Sequence, residues 1–401
     1  MMAAINSSGR RFQLAGGSLS TLPFSRRMQS AQRRLRLLAG LVLLAFVAMH
    51  LVNAALGLVS IQAMEQARPL LQLPWRTMPG LVLLSAAALV HGVLGLLAIA
   101  RRRSLALSRT DWLQIVLGLV TTPLLIDHIL FTQVFSLVDA EFKPDFGLLL
   151  AAYWHYVPAN ALLQVLAVVA VWVHGVVGLY TWLVLKPAWR RLGLVLTPLF
   201  FILPVTALLG FVQGGKDAMA RLAAEPDWQA AIAASMARFA AAKAQMDALR
   251  SLALSVYGGL VLVAFGVLLS RVLRNRQRKV DVRYDGGLHG QGRPGLSLLE
   301  ISLASGVPHA HVCGGRGRCG TCVVAVDAGA ANLSPIGSDE QATLARIHAG
   351  EGQRLACQAR LLGDTVCVTC LRPAYVDVTA ARDPVGWTAA STASVPSQAT
   401  P

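Results

Sequence analysis

Six apolar stretches, each about 20 residues or longer, constrain this chain more than any other feature. They lie near 35–60, 79–100, 110–137, 160–185, 194–214 and 251–272. A helix needs about 20 residues to cross the hydrocarbon core of a bilayer. Without water in that core, the backbone must satisfy its own hydrogen bonds, as a helix does. The stretches are mostly Leu, Val and Ala, so side-chain period says little, and length decides for helix. Only 14% of the 401 residues are charged and 55% are hydrophobic, with mean hydropathy +0.56. An ordinary soluble domain has about 25% charged residues. The composition therefore excludes a typical soluble enzyme and a disordered protein.

The net charge of +16 raises the question of nucleic acid. Most arginines flank the apolar runs instead, so no nucleic-acid partner is expected and a lipid membrane is. Lys and Arg number 7 up to Arg36, 4 in 101–109, 3 in 186–193 and 5 in 271–279, against 8 spread over the longer loops of the other side. Positive-inside bias predicts both termini in the cytoplasm, and an even number of spans agrees. The 216–250 loop is Ala-rich and reads as a helical excursion on the outer side. The tail 1–34 has no acidic residue, and a mitochondrial transit peptide would look similar.

Four histidines fall inside the spans: His50, His91, His128 and His174. Ionisable groups at that depth are costly and mark functional sites by default. His91 and His174 each open a similar text, His-Gly-Val-Leu-Gly-Leu and His-Gly-Val-Val-Gly-Leu. Both sit about 2 Å inward of the centre of spans that run outside to inside, at about 1.5 Å per residue. His50 and His128 sit about 4 and 7 Å outward in spans that run the other way. This predicts two bis-His haems b, an inner one on His91/His174 and an outer one on His50/His128. The glycines beside His91 and His174 would admit a flat macrocycle. A single haem on His91/His174 is the fallback, and a lone buried His can equally bond a neighbouring carbonyl. Asp127 could take a proton in quinone chemistry or simply face a cavity. His155, among Tyr153, Trp154 and Tyr156, reads as an outer aromatic belt, with a role in a quinone site as the alternative.

After Lys279 the composition changes. All six cysteines lie between Cys313 and Cys370. Cys313, Cys319 and Cys322 follow Cys-x5-Cys-x2-Cys, and Cys357 follows after 34 residues. A [2Fe–2S] cluster takes four thiolates, typically three in one loop and a distant fourth. Arg316 and Arg318 would favour its more negative, reduced state. Zinc on Cys319/Cys322 and Cys367/Cys370 is the competing reading. It leaves Cys313 and Cys357 idle, and puts Cys367 and Cys370 on opposite faces of a strand, so those two are read as structural. Strands are expected at 279–284 and 322–327 and a helix at 297–305.

The Cys loop, with Leu298-Leu299-Glu300, Gly306-Val307-Pro308 and Arg354-Leu355-Ala356-Cys357-Gln358, resembles the vertebrate-type [2Fe–2S] ferredoxin family. That resemblance implies a β-grasp fold. The order His50, His91, His128, His174 resembles the two-haem cytochrome b anchors of succinate dehydrogenase and fumarate reductase, where the first and third bind one haem and the second and fourth the other. The fusion resembles the N-terminal part of certain bacterial membrane adenylate cyclases, without the cyclase domain, so cyclase activity does not carry over. The resulting expectation is a membrane all-α six-helix bundle (35–278) after a basic tail (1–34), then a small α+β ferredoxin domain (279–375) and a disordered tail (376–401), in a bacterial inner membrane. It would move electrons between quinone, haem b and a cytosolic cluster that meets a soluble partner. The alternatives are a redox sensor that regulates a partner through the 273–279 linker, and a transporter with a ferredoxin regulator. The absence of charged pairs or broken helices at midplane counts against the last.

Overall fold

The computed structural model describes residues 24–102, 105, 107–274 and 279–382. Most of the basic tail, the middle of the 273–279 linker and most of the expected disordered tail (383–401) lie outside these residues. The first helix, α1, is Phe24–Ala55, so it begins well before the expected first span. Next come α2 (Ile61–Arg76), α3 (Met78–Ala100), α4 (Arg109–Ile129), α5 (Phe135–Val138) and α6 (Phe146–Ala151). They are followed by α7 (Pro158–Leu183), α8 (Trp189–Ala224), α9 (Pro226–Ala241) and α10 (Lys243–Arg274). Among the described residues six helical segments are long and apolar enough to cross a membrane, and they coincide with the six expected runs. Their outward faces leave large apolar side chains bare, Leu162, Leu194 and Leu262 among them.

Local chemistry starts the helices where the sequence permits. The Ser60, Thr77, Ser108 and Asp145 side chains each accept a backbone N–H in the first turn of α2, α3, α4 and α6, satisfying a donor that the helix itself cannot. α1, α3, α4 and α7 pack as the four-helix unit that carries the histidines. At one end, Phe131, Phe135, Phe142, Leu148 and Ile232 close the bundle with an aromatic and aliphatic cap built from α5, α6 and α9. α9 is the helical excursion expected in the 216–250 loop. The last turns of α4 widen into a π-helical turn, Leu130–Val134, directly after His128.

The C-terminal domain is a five-stranded mixed sheet with three helices. Its strands are β1 (Val280–Tyr284), β2 (His289–Gly292), β3 (Val323–Ala328), β4 (Gln353–Leu355) and β5 (Thr365–Cys370), in the order β2-β1-β5-β3-β4. β1 and β5 run parallel and the other neighbours antiparallel. α11 (Leu298–Ala304) opens with a capping box, in which Ser297 and Glu300 satisfy each other's backbone N–H. Its Leu298 and Ile301 face Val282, Val324, Leu355 and Val366 in a fully buried core. α12 (Ser338–Arg346) buries Glu340 against Arg354, with Nε to Oε1 at 2.8 Å. A final helical turn, α13 (Val378–Arg382), lies past the expected domain end at 375.

Candidate redox site

The chemistry-bearing residues form three groups, two histidine pairs in the bundle and one cysteine loop in the C-terminal domain. His50 on α1 and His128 on α4 meet with ring centres 6.0 Å apart. His91 on α3 and His174 on α7 meet at the same 6.0 Å. The four histidines come together in the pairs that the depth argument put forward. Two iron–nitrogen bonds of about 2 Å each, plus about 1 Å from each nitrogen to its ring centre, make about 6 Å. The spacing therefore suits one metal atom between each pair.

The packing around the inner pair repeats itself. His91 Nδ1 lies 3.1 Å from the Arg36 carbonyl oxygen, and His174 Nδ1 lies 3.1 Å from the Gln114 carbonyl oxygen. An Nδ1–H donated to a carbonyl fixes the tautomer and leaves Nε2 free as a ligand. Four residues beyond each carbonyl is a glycine against which the ring lies. A Cβ on Gly40 would come 2.8 Å from His91 Cε1, and one on Gly118 would come 2.9 Å from His174 Cε1. The permissive glycines thus sit on the opposing helix. Gly92, next to His91 in sequence, is exposed and has nothing within 4 Å.

At the outer pair, His128 Nδ1 lies 3.2 Å from the Tyr153 hydroxyl, which donates in turn to Gln164 Oε1 at 3.3 Å. The space beside the pair is about 50 Å³, so a macrocycle there requires Leu150, Phe211 and their neighbours to repack. By spacing and donor set the residues at both pairs would hold a metal atom between two imidazoles, while the outer pair has no room for a macrocycle with its neighbours as they stand. At the inner pair Gly40 and Gly118 make room for the two histidine rings. Asp127 accepts a hydrogen bond from Arg250 Nε at 2.7 Å, a charged pair that nothing in the sequence pattern signals. His155 is exposed and packs edge-on against Tyr156 at 4.8 Å.

The third group is the cysteine loop. Cys313, Cys319, Cys322 and Cys357 are all buried. The Cys313 thiol interacts most strongly with that of Cys319, and the Cys322 thiol with that of Cys357. That interaction holds Cys313 below the ordinary thiol value and Cys319 above it. Cys322 also feels the charges of Cys357, Cys319 and Cys313, so the two pairs adjoin. Among the described residues no three His, Cys, Asp or Glu side chains group as they would around a single metal ion; the cysteines come as two pairs, the arrangement that two irons need.

The loop's backbone depends on glycine. Gly314, Gly315, Gly317 and Gly320 all have positive φ, a region costly to other residues. At Gly320 a Cβ would also strike Ile347 at 2.7 Å. The loop is then pinned from outside. Thr343 donates to the Gly317 carbonyl at 2.6 Å, Arg346 to the Arg318 and Cys319 carbonyls at 2.7 and 2.9 Å, and Gln358 to the Gly315 carbonyl at 3.2 Å. Cys367 and Cys370 stand apart on β5, and burial pushes the Cys370 thiol up to about 11.

Residues 288–362 match the family described as the 2Fe-2S iron-sulfur cluster binding domain, a span that takes in all four loop cysteines. The chain is also 34% identical over 74 residues to 2Fe-2S ferredoxin-5 of Aquifex aeolicus, a stretch that is 18% of this chain and 77% of that protein. This chain belongs to the [2Fe–2S] ferredoxin family through its C-terminal domain. Chlorosome protein I of Chlorobaculum tepidum is 37% identical over 79 residues, 19% of this chain and 32% of that protein. One component of the Na(+)-translocating NADH-quinone reductase of Haemophilus influenzae is 28% identical over 117 residues, 28% of each chain. The chain thus spans about a third or less of these two longer relatives. No solved structure matches.

The ferredoxin domain is seated on the helical bundle by its cysteine loop. Arg316, between Cys313 and Cys319, donates to Asp111 at the start of α4 at 3.0 Å. Asp339 on α12 pairs with Arg33 and accepts from Ser30 at 3.1 Å. Arg382 of α13 donates to the Val184 carbonyl at 2.6 Å, and Ala381 packs with Cys313, Cys319 and Leu185. These contacts lie at the end of the bundle nearer His91 and His174. The docking residues were invisible in the sequence, where Asp111 and Asp339 carry no motif.

Proposed function

We propose that this chain is a membrane redox protein that moves electrons between a quinone pool, two bis-His haems b and a [2Fe–2S] cluster. His50 and His128 would hold the outer haem, His91 and His174 the inner one, and Cys313, Cys319, Cys322 and Cys357 the cluster. The observation that supports the reading is the presence of two matched histidine pairs in the bundle, each with ring centres 6.0 Å apart, together with a ferredoxin cysteine loop that contacts the same bundle through Arg316 and Asp111. When bound, haem iron and the cluster supply one-electron chemistry.

The protein's own part is positioning. The Arg36 and Gln114 carbonyls orient His91 and His174, and Gly40 and Gly118 let the ring edges approach α1 and α4 closely. The Asp111–Arg316 pair holds the cluster loop against the bundle. Asp127, Tyr153, Asn160 and Gln164 line a small space beside His128, the polar setting that quinone proton exchange needs. Bare apolar faces on the six helices favour a bilayer around the bundle. The charge bias puts both termini and the ferredoxin domain on the cytoplasmic side, as in a bacterial inner membrane. A soluble redox partner would meet the domain there. The domain limits proposed are 35–278 for the bundle and 279–375 for the ferredoxin unit.

The test is haem, iron and sulfide per purified chain, with reduced-minus-oxidised spectra of wild type, His91→Ala and His128→Ala. The reading expects two low-spin haems and one [2Fe–2S] cluster, with one haem lost in each variant. Haem-free protein from cells supplied with haem refutes it.

A further inference from the structure

The joint between the bundle and the ferredoxin domain is crowded with arginine. Arg36 stands four residues before Gly40 on α1, so both lie on the helix face toward His91. Among the described residues its guanidinium pairs with no carboxylate or carbonyl, and the charges around it are Arg33, Arg102, Arg316 and Arg318. Arg33, Arg36 and Arg102 belong to the bundle. Arg316 and Arg318 belong to the cysteine loop. Two carboxylates answer these five cations. Asp111 serves Arg316 at 3.0 Å and Arg102 at 3.9 Å, and Asp339 serves Arg33. Three positive charges remain unmatched in a partly buried seam beside the His91 ring.

Like charges gathered out of water repel, and the cost is relieved by an anion with several acceptor oxygens. Arginine's fork is suited to carboxylate. The place narrows the choice of anion, since the Arg36 carbonyl itself bonds His91. We propose that Arg36, Arg102, Arg316 and Arg318 form a two-carboxylate site, filled by the propionates of the porphyrin held by His91 and His174. The cofactor's own charge then completes the joint between bundle and ferredoxin domain. This rests on the haem reading above. It adds that loading the inner site and docking the ferredoxin domain are coupled, because the same anion meets arginines from both.

The test uses the full-length chain stripped of haem and reconstituted with iron protoporphyrin IX or its dimethyl ester, which lacks the two charges. Titration is followed by low-spin absorbance, with the outer haem as internal evidence of folding. Wild type is expected to bind the free acid at the inner site about tenfold or more tightly than the ester, the scale of charge-assisted hydrogen bonds. Arg36→Gln with Arg316→Gln should abolish that preference and leave the outer haem unchanged. Adding the free acid, but not the ester, should also protect the 316–318 loop from proteolysis. Equal affinity of wild type for acid and ester overturns the proposal. So does loop protection that depends only on phosphatidylglycerol in the nanodisc, which assigns the arginines to a lipid phosphate. If neither porphyrin binds, the haem reading fails, and this inference with it.

Discussion

Substituting Gly40 by Ala tests the inner histidine pair without touching a ligand. The added Cβ would lie 2.8 Å from His91 Cε1 and 3.0 Å from Nδ1. Relaxed contact needs about 3.5 Å, so the ring must retreat by roughly 0.7 Å. A ring without a metal can swing away and give up its bond to Arg36. A ring held at Nδ1 by that carbonyl and at Nε2 by iron has no free direction. Overpacking of this kind costs about 1–3 kcal/mol, which should weaken inner haem binding about five- to hundredfold. Ala also favours the helix by roughly 1 kcal/mol over Gly, but equally with and without haem, so that gain drops out of the affinity. The assay is haem titration by difference spectroscopy, with thermal melts of the haem-free chain as the control. Gly92→Ala is the matched negative, since nothing lies within 4 Å of its site. Unchanged inner haem affinity in Gly40→Ala, or equal losses in Gly92→Ala, would refute the cradle argument.

Four further outcomes are expected. Cys319→Ser or Cys357→Ser should lose the visible and EPR signals of the cluster, while Cys367→Ser keeps them. Glu340→Ala leaves Arg354 buried and unpaired and removes the acceptor of the Leu355 N–H at 3.0 Å. It should destabilise the ferredoxin domain by about 3–5 kcal/mol in denaturant melts. Asp111→Asn should slow reduction of the haems from the pre-reduced cluster, and added salt should slow wild type towards the same rate. Tyr284 is buried against Ser302, and burial pushes its hydroxyl up to about 12. The unfolded chain ionises near pH 10 and the folded one resists, so the domain should lose roughly 3 kcal/mol between about pH 10 and 12. Tyr284→Phe should remove that slope.

The legible parts were those that one segment specifies alone. Each apolar run names its own helix by length, and the Cys-x5-Cys-x2-Cys loop names its chemistry because the glycines and thiolates are contiguous. The strands at 280–284 and 323–328 and the helix at 298–304 follow from local pattern in the same way. What stayed hidden depends on two segments meeting. Gly40 and Gly118 look like any other helix glycine until α1 and α4 present them to rings on α3 and α7. Asp111, Asp127 and Asp339 find their arginines 205, 123 and 306 residues away. Helix rotation sets all of these contacts, and a uniformly apolar helix carries almost no rotational signal.

The repeated packing around His91 and His174 has one break in it. Arg36 and Gln114 hold equivalent places, each offering a carbonyl to a histidine and each four residues before a glycine that cradles the ring. Ligation would need only that shared backbone, so the proposed pair is symmetric where it would hold iron. The side chains differ. Gln114 stays within the bundle, its Nε2 donating to the His174 carbonyl at 3.0 Å. Arg36 instead joins the charges of the ferredoxin seam. One substitution within the repeat thus separates a neutral flank from a cationic one. Exchanging the two, Arg36→Gln with Gln114→Arg, should preserve both inner ligands and yet uncouple cluster from haem. A double variant that keeps wild-type transfer from cluster to haem would show that the seam's charge plays no part in it.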